Sequence, residues 1–211
     1  MKKERGKLFI VSGPSGSGKT TLCKMLMALD DMRVKLTRSI SFTTRPMRMG
    51  EVDGRDYFFV TEEIFRRYIK KRWLLEYKTV LGHLYGTPLK YVRDTLVKGK
   101  DMLLCVDIAG ARQIKKGQFR KGAVKIFIMP PSTKVLEERL RLRATETERA
   151  IQARLKLAKT EMRAAKEYDF IIINNNIDWA LEELKSAIIS ESCRRENALH
   201  SIRKIAKKFW K

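Results

Sequence analysis

Residues 13–20 read Gly-Pro-Ser-Gly-Ser-Gly-Lys-Thr, a complete G-x-x-x-x-G-K-[ST] run of the kind that cradles phosphate. Glycines let backbone N–H groups turn inward onto an anion, and a following helix start adds partial positive charge. Lys19 is placed to reach the β- and γ-phosphates of a nucleoside triphosphate, and the Thr20 hydroxyl to ligate Mg²⁺. The candidates for triphosphate binding are therefore Gly13, Pro14, Ser15, Gly16, Ser17, Gly18, Lys19, Thr20 and Thr21. The loop implies nucleotide binding but does not by itself name a reaction.

Such a loop works only between a buried strand and a helix. The apolar run Leu8-Phe9-Ile10-Val11 precedes it, and Thr21–Met27 carries apolar residues at helical spacing. The same alternation continues down the chain. Near-continuous apolar runs predict strands at Lys7–Ser12, Lys35–Ser41, Met102–Asp107, Val124–Met129 and Asp169–Asn174, as expected for parallel strands covered on both faces. Helical patterns fall between them at Lys19–Leu29, Leu89–Val97, Ala109–Lys116, Thr133–Leu142, Thr147–Glu167 and Asp178–Arg195. This order predicts an α/β fold, an open parallel sheet with helices on both faces. The core would comprise residues 1–38, 91–138 and 167–195. Residues 39–90 break the rhythm with short β-like pieces, Tyr57–Val60 and Leu74–Leu81, around a helix at Glu62–Lys71, and read as a small mixed α/β insertion. Residues 139–166 are charged and helical with few bulky apolar anchors, which suits a helical lid carrying arginines. Residues 196–211 form a separate basic tail, with Leu199, Ile202, Ile205 and Phe209 on one helical face.

Composition narrows the classes. With 211 residues, 44% hydrophobic, the chain can bury a substantial core. No apolar run approaches the roughly 20 residues of a membrane span. Two histidines, His83 and His200, leave little material for a zinc site or a Ser-His triad. Cys23, Cys105 and Cys193 are far apart and odd in number, so a reducing cytoplasm is the expected setting. The net charge of +22 favours anionic partners. Nucleotides qualify, and non-specific nucleic-acid contact follows from the same charge. A monomer and a homodimer are both compatible with the sequence.

The insertion carries more specific text. Ser39–Val60 reads SISFTTRPMRMGEVDGRDYFFV, followed by Leu75-Glu76-Tyr77, Gly82–Pro88 (GHLYGTP), Val106–Ala111 (VDIAGA), Phe127–Ser132 (FIMPPS), Glu138–Thr147 (ERLRLRATET) and Ile173–Asn176 (INNN). With the phosphate loop, these ordered motifs resemble the guanylate kinase family over roughly residues 6–195. The resemblance implies Mg²⁺-dependent transfer of the ATP γ-phosphoryl group to GMP, and to dGMP, in purine nucleotide metabolism. It makes residues 39–90 the GMP-binding insertion. The intact Gly13, Gly18, Lys19 and Thr20 separate this chain from scaffold modules that resemble the family without catalysis.

By the same resemblance, Arg45, Arg48, Tyr57 and Tyr85 hold the GMP phosphate, Ser41 and Glu76 read guanine, and Glu51, Thr87 and Asp107 support that pocket. The chemistry agrees. Guanidinium forks bond phosphate oxygens in pairs. A carboxylate accepts from both N1–H and the 2-amino group of guanine, and adenine lacks both donors. The catalytic set becomes Lys19, Arg45, Arg139, Arg143 and Arg154, with Asn174 on the adenine side, and Thr20 and Asp107 as the metal ligands. The chain also departs from the family pattern. Cys105 stands where an acidic residue is usual, Ala144 replaces a glycine, Asn175 and Asn176 replace acidic residues, and Phe42 replaces a small or polar one.

Overall fold

The apolar runs Leu8–Ser12, Asp101–Cys105 and Ala123–Met129 become largely buried strands because they have no polar face to give to water, whereas the run Phe170–Ile173 leaves Ile171 and Ile173 exposed. A computed structural model of the chain describes residues 5–29, 36–80, 82–117, 119, 122–142 and 148–194. Its elements run β1 (Leu8–Ser12), α1 (Lys19–Met27), β2 (Leu36–Arg38), β3 (Phe42–Thr43), β4 (Phe58–Phe59), α2 (Glu62–Lys70), β5 (Leu74–Val80), β6 (His83–Pro88) and α3 (Leu89–Val97). Then follow β7 (Asp101–Cys105), α4 (Ile108–Lys116), β8 (Ala123–Met129), α5 (Thr133–Arg141), α6 (Glu148–Met162), a 3-10 turn (Arg163–Glu167), β9 (Phe170–Ile173) and α7 (Ile177–Ser192). A five-stranded sheet has the order β2-β7-β1-β8-β9, and a second, mixed sheet the order β4-β3-β6-β5. Helices flank the five-stranded sheet, which gives the α/β class anticipated from the alternation of strand and helix.

Internal contacts divide the described residues into two units, those of 13–29 and 125–194, and those of 5–12 and 36–124. In the first, β8 and β9 pair in parallel, Ile126 opposite Phe170 and Met129 opposite Ile173. Its buried side chains include Leu22, Leu26, Phe127, Ile172 and Leu184. The α5 and α6 helices meet through Leu136, Leu140, Ile151 and Ala158, with Leu155 packed alongside. Ser132 caps α5 by accepting from the Val135 N–H at 3.1 Å, and Asn176 caps α7 through the N–H groups of Asp178 and Trp179. Each such cap satisfies a donor that the helix itself leaves unpaired.

In the second unit, β1 and β2 both pair in parallel with β7, Leu8 opposite Met102 and Leu36 opposite Asp101. Every residue of β1 is buried. The mixed sheet pairs β3 in parallel with β4, and antiparallel with β6. The antiparallel β5–β6 pairing shifts register between Leu74 and Glu76, so that Glu76 lies opposite Thr87 and Lys78 opposite Tyr85. Such slips re-aim the side chains that follow them. Helix α2 starts at Thr61, whose hydroxyl accepts from Ile64 N–H at 3.3 Å. It buries Phe65 and exposes its charged residues.

Two strands, β3 and β6, are absent from the sequence expectation. The first has only two residues, and the second (HLYGTP) contains Gly and Pro, which are depleted in strands. The helix expected at 147–167 ends at Met162 and continues as the 3-10 turn. Arg143, Ala144 and the tail 196–211 lie outside the described residues. Among the described residues no helix is long and apolar enough to cross a membrane.

Candidate functional site

The first unit gathers the phosphate loop and its supports. The loop leaves β1 and enters α1 at Gly18, which has φ 92°. A Cβ there would lie 2.2 Å from Nδ2 of Asn174, so glycine is required both for the backbone angle and for the close approach. Asn174 follows β9, is 1% exposed, and donates through Nδ2 to the Ser17 carbonyl at 2.8 Å. Arg139, on α5, donates through Nη2 to the Asn174 carbonyl at 3.0 Å. Arg154, on α6, donates through Nη1 to the Ser15 hydroxyl at 2.8 Å. The strand β9 and both arginine-bearing helices are thus bonded to the loop or to its brace. Lys19 Nζ donates to the Pro14 carbonyl at 3.3 Å. Nη1 of Arg139, Oδ1 of Asn174 and Oγ of Ser17 are buried without a protein partner. Thr20 and Thr21, on the first turn of α1, are exposed.

The second unit carries two adjoining clusters. In one, Arg45 Nη2 donates to both oxygens of Glu51, at 2.7 and 2.9 Å. Glu51 also accepts from the Arg48 backbone N–H at 2.8 Å. The Arg45 guanidinium holds the Glu51 carboxyl below its ordinary range, with the Arg48 N–H acting the same way. The guanidinium carbon lies 5.7 Å from the Tyr57 ring centre and 5.8 Å from that of Phe59, and Tyr57 meets Tyr85 edge-on at 5.9 Å. Burial pushes the Tyr57 phenol up, so it remains an O–H donor at neutral pH. The Arg45 guanidinium thus lies beside the phenols of Tyr57 and Tyr85, with Nη2 on the Glu51 carboxylate and Nη1 on the Pro46 carbonyl.

The other cluster centres on Glu76, 5% exposed on β5. Thr87, opposite it on β6, donates its hydroxyl to Glu76 Oε1 at 2.6 Å. A Cβ on Gly110 would come within 3.0 Å of Glu76 Oε2. Burial raises the Glu76 carboxyl above its ordinary range, the Thr87 hydrogen bond opposes this, and the Asp107 charge adds to the rise. Asp107 caps α4, with Oδ1 accepting from Gly110 N–H at 2.8 Å, and Oδ2 pairs with Lys78 Nζ at 2.7 Å. Ser41, next to β3, is half-buried, and its carbonyl accepts from Phe58 N–H at 2.9 Å.

The guanylate kinase family model matches residues 5–191. The chain belongs to the guanylate kinase family. It is 45% identical over 196 residues to a guanylate kinase of Bacillus cereus, covering 93% of this chain and 94% of that one. It is 41% identical over 199 residues to that of Halalkalibacterium halodurans, with 94% and 95% covered. The crystal structure of guanylate kinase from Anaplasma phagocytophilum superposes with a TM-score of 0.71 at 32% identity, over 92% of this chain and 89% of that one. The reaction of guanylate kinases is phosphoryl transfer from ATP to GMP.

Set against the family expectation, the structure brings Arg45, Glu51, Tyr57 and Tyr85 together, and likewise Glu76, Thr87 and Asp107. It also ties Arg139, Arg154 and Asn174 to the loop. Among the described residues no group of three or more His, Cys, Asp or Glu could hold a metal ion. Thr20 offers one hydroxyl, while both Asp107 oxygens are bonded to protein groups. Lys78 was not among the sequence candidates. Its strand was anticipated, but its partner is 29 residues away, and only the β5–β6 register reveals its place.

Proposed function

We propose that this chain transfers the γ-phosphoryl group of ATP to GMP at the residues described above, and accepts dGMP as well. Arg45, Arg48, Tyr57 and Tyr85 bind the GMP phosphate, with Glu51 holding Arg45 in place. Ser41 and Glu76 read guanine, and Thr87 fixes the Glu76 carboxylate. The loop 13–21 wraps the triphosphate, Lys19 reaching its β- and γ-phosphates. Arg139, Arg143 and Arg154 neutralise the charge of the transferring group, and Asn174 braces the loop beneath. In such transfer the protein's contribution is positioning and charge stabilisation rather than covalent chemistry.

The Thr20 hydroxyl is the group of this chain that would hold magnesium, an ion that usually binds through few protein ligands together with substrate phosphates. When bound, it neutralises charge on the triphosphate. Asp107, expected as a second ligand, has both oxygens engaged by Gly110 and Lys78, and we assign it to the base pocket. The odd number of cysteines, Cys23, Cys105 and Cys193, suits a reducing cytoplasm.

The observation that carries the reading is the buried Glu76 carboxylate, which has one oxygen held by Thr87 and the other hemmed by Gly110. A buried acceptor of that kind rejects a purine lacking the matching donors by on the order of 10⁴. Replacing Glu76 with Gln tests it. KM for GMP should rise steeply while KM for ATP stays unchanged. Equal changes for both nucleotides would remove Glu76 from base recognition.

A further inference from the structure

Lys78 has no role in the phosphate loop, in the arginine–tyrosine cluster or in the family motifs. It lies two residues after Glu76 on β5, hence on the same face of the strand, and the register shift sets it opposite Tyr85. Its ammonium, about one-third exposed, sits 2.7 Å from Asp107 Oδ2. The other Asp107 oxygen holds the first turn of α4 at the Gly110 N–H, and Gly110 is the residue whose missing side chain admits Glu76 Oε2. Lys78 and Gly110 are thus both bonded to Asp107, and Gly110 lies close enough to Glu76 that a Cβ there would crowd the carboxylate assigned to guanine.

We propose that Lys78 is a positioning residue for guanine recognition, holding Asp107 and the start of α4 so that the buried Glu76 stays charged and in place. The inference rests on the reading of Glu76 given above.

The reasoning is electrostatic and steric together. Among the described residues, Thr87, Gly110, Asp107 and Lys78 bear on the Glu76 carboxylate. Thr87 from β6 and Gly110 from α4 are neutral. Asp107, at the N-terminus of α4, is an anion, and Lys78 on β5 is a cation. The burial of Glu76 and the Asp107 charge favour its protonated form, whereas the Thr87 hydrogen bond and the Lys78 charge favour the anion. Two carboxylates in a poorly hydrated site resist joint ionisation unless a cation lies between them. With Lys78 neutralised, the Asp107 charge acts on Glu76 without a compensating cation, and only the Thr87 hydrogen bond opposes it. Glu76 then binds a proton at higher pH, and a protonated carboxyl presents an O–H where guanine presents N–H. Asp107 would also lose its tether to Lys78, which loosens the turn that bounds Oε2. Lys78 acts through Asp107 in this scheme and need not touch the nucleotide.

The test compares the full-length wild-type chain with K78M, K78R, K78M/D107N and E76Q. It reads kcat and KM for GMP and for ATP from about pH 5.5 to 8.5, with circular dichroism to show folding. K78M should raise KM for GMP several-fold, leave KM for ATP unchanged, and move the acid limb of kcat/KM for GMP to higher pH. K78R should restore the wild-type limb. Adding D107N to K78M should move the limb back down, because Asn still caps α4 but carries no charge. A K78M acid limb identical to wild type would overturn the proposal. So would a K78R variant as impaired as K78M, or equal KM changes for both nucleotides. If E76Q impairs GMP and K78M does not, the proposal fails while the Glu76 reading stands. If E76Q leaves KM for GMP untouched, both fall.

Discussion

Gly18 and Asn174 make a steric lock whose two halves can be removed separately. Substituting Gly18 by Ala forces a side chain onto a backbone angle of φ 92°, which costs about 1–2 kcal/mol for an L-residue. The new Cβ would also fall 2.2 Å from Asn174 Nδ2. The amide must then leave the Ser17 carbonyl, which it meets at 2.8 Å in a buried setting, and stranding such a pair costs about 1–3 kcal/mol more. Gly18→Ala should therefore destabilise the protein by about 2–5 kcal/mol. Asn174→Ala alone should cost about 1–3 kcal/mol through the same lost hydrogen bond. In the double variant the clash has no target, so the glycine substitution should add only the backbone strain of about 1–2 kcal/mol. The prediction is strong non-additivity, with the pair less harmful than the sum of the singles by about 1–3 kcal/mol. Chemical denaturation of the four proteins measures it, and KM for ATP should follow the same pattern while KM for GMP does not. Additive costs would refute the idea that Asn174 sets the space above Gly18.

Three further outcomes follow from other sites. Glu76 is pushed up chiefly by burial, and in the proposed reading its ionised form is the one that accepts from guanine. Affinity for GMP should therefore be complete above its raised pKa and fall as pH drops through it, earlier than for an ordinary glutamate, while ATP affinity stays flat; parallel curves for both nucleotides would contradict this. Phe65 is 1% exposed where α2 meets the mixed sheet, so Phe65→Ala should cost about 3–5 kcal/mol in a denaturant titration. Arg154→Ala removes a donor held 2.8 Å from Ser15 Oγ and should lower kcat and raise KM for ATP, with KM for GMP unchanged.

The parts of this molecule set by local pattern could be read from its residues. The phosphate loop announces its own neighbours, because Leu8–Val11 is too apolar to be anything but buried and the residues after Lys19 keep helical spacing. The helix Leu89–Val97 is found where its periodicity places it. What escaped the sequence depends on contacts between distant residues. The register shift at Leu74–Glu76 has no local signature, yet it sets Glu76 against Thr87 and Lys78 against Tyr85. The β6 strand hides behind a Gly and a Pro that are tolerated because its partners supply the order. Asn174 was placed on the adenine side by its motif, and its burial and its bond to Ser17, 157 residues away, could not be read from the residues. The resemblance placed Asp107, at a strand end, both in the base pocket and at the metal. Only the geometry shows one oxygen capping α4 and the other held by Lys78.

The central claim is that a buried carboxylate selects guanine for phosphoryl transfer. A coupled assay of ADP formation with Mg·ATP, offering GMP, AMP, CMP and UMP side by side, tests it most directly. The account predicts rapid turnover with GMP and a rate lower by on the order of 10⁴ in kcat/KM with AMP. Comparable turnover of AMP and GMP by the folded protein would contradict it.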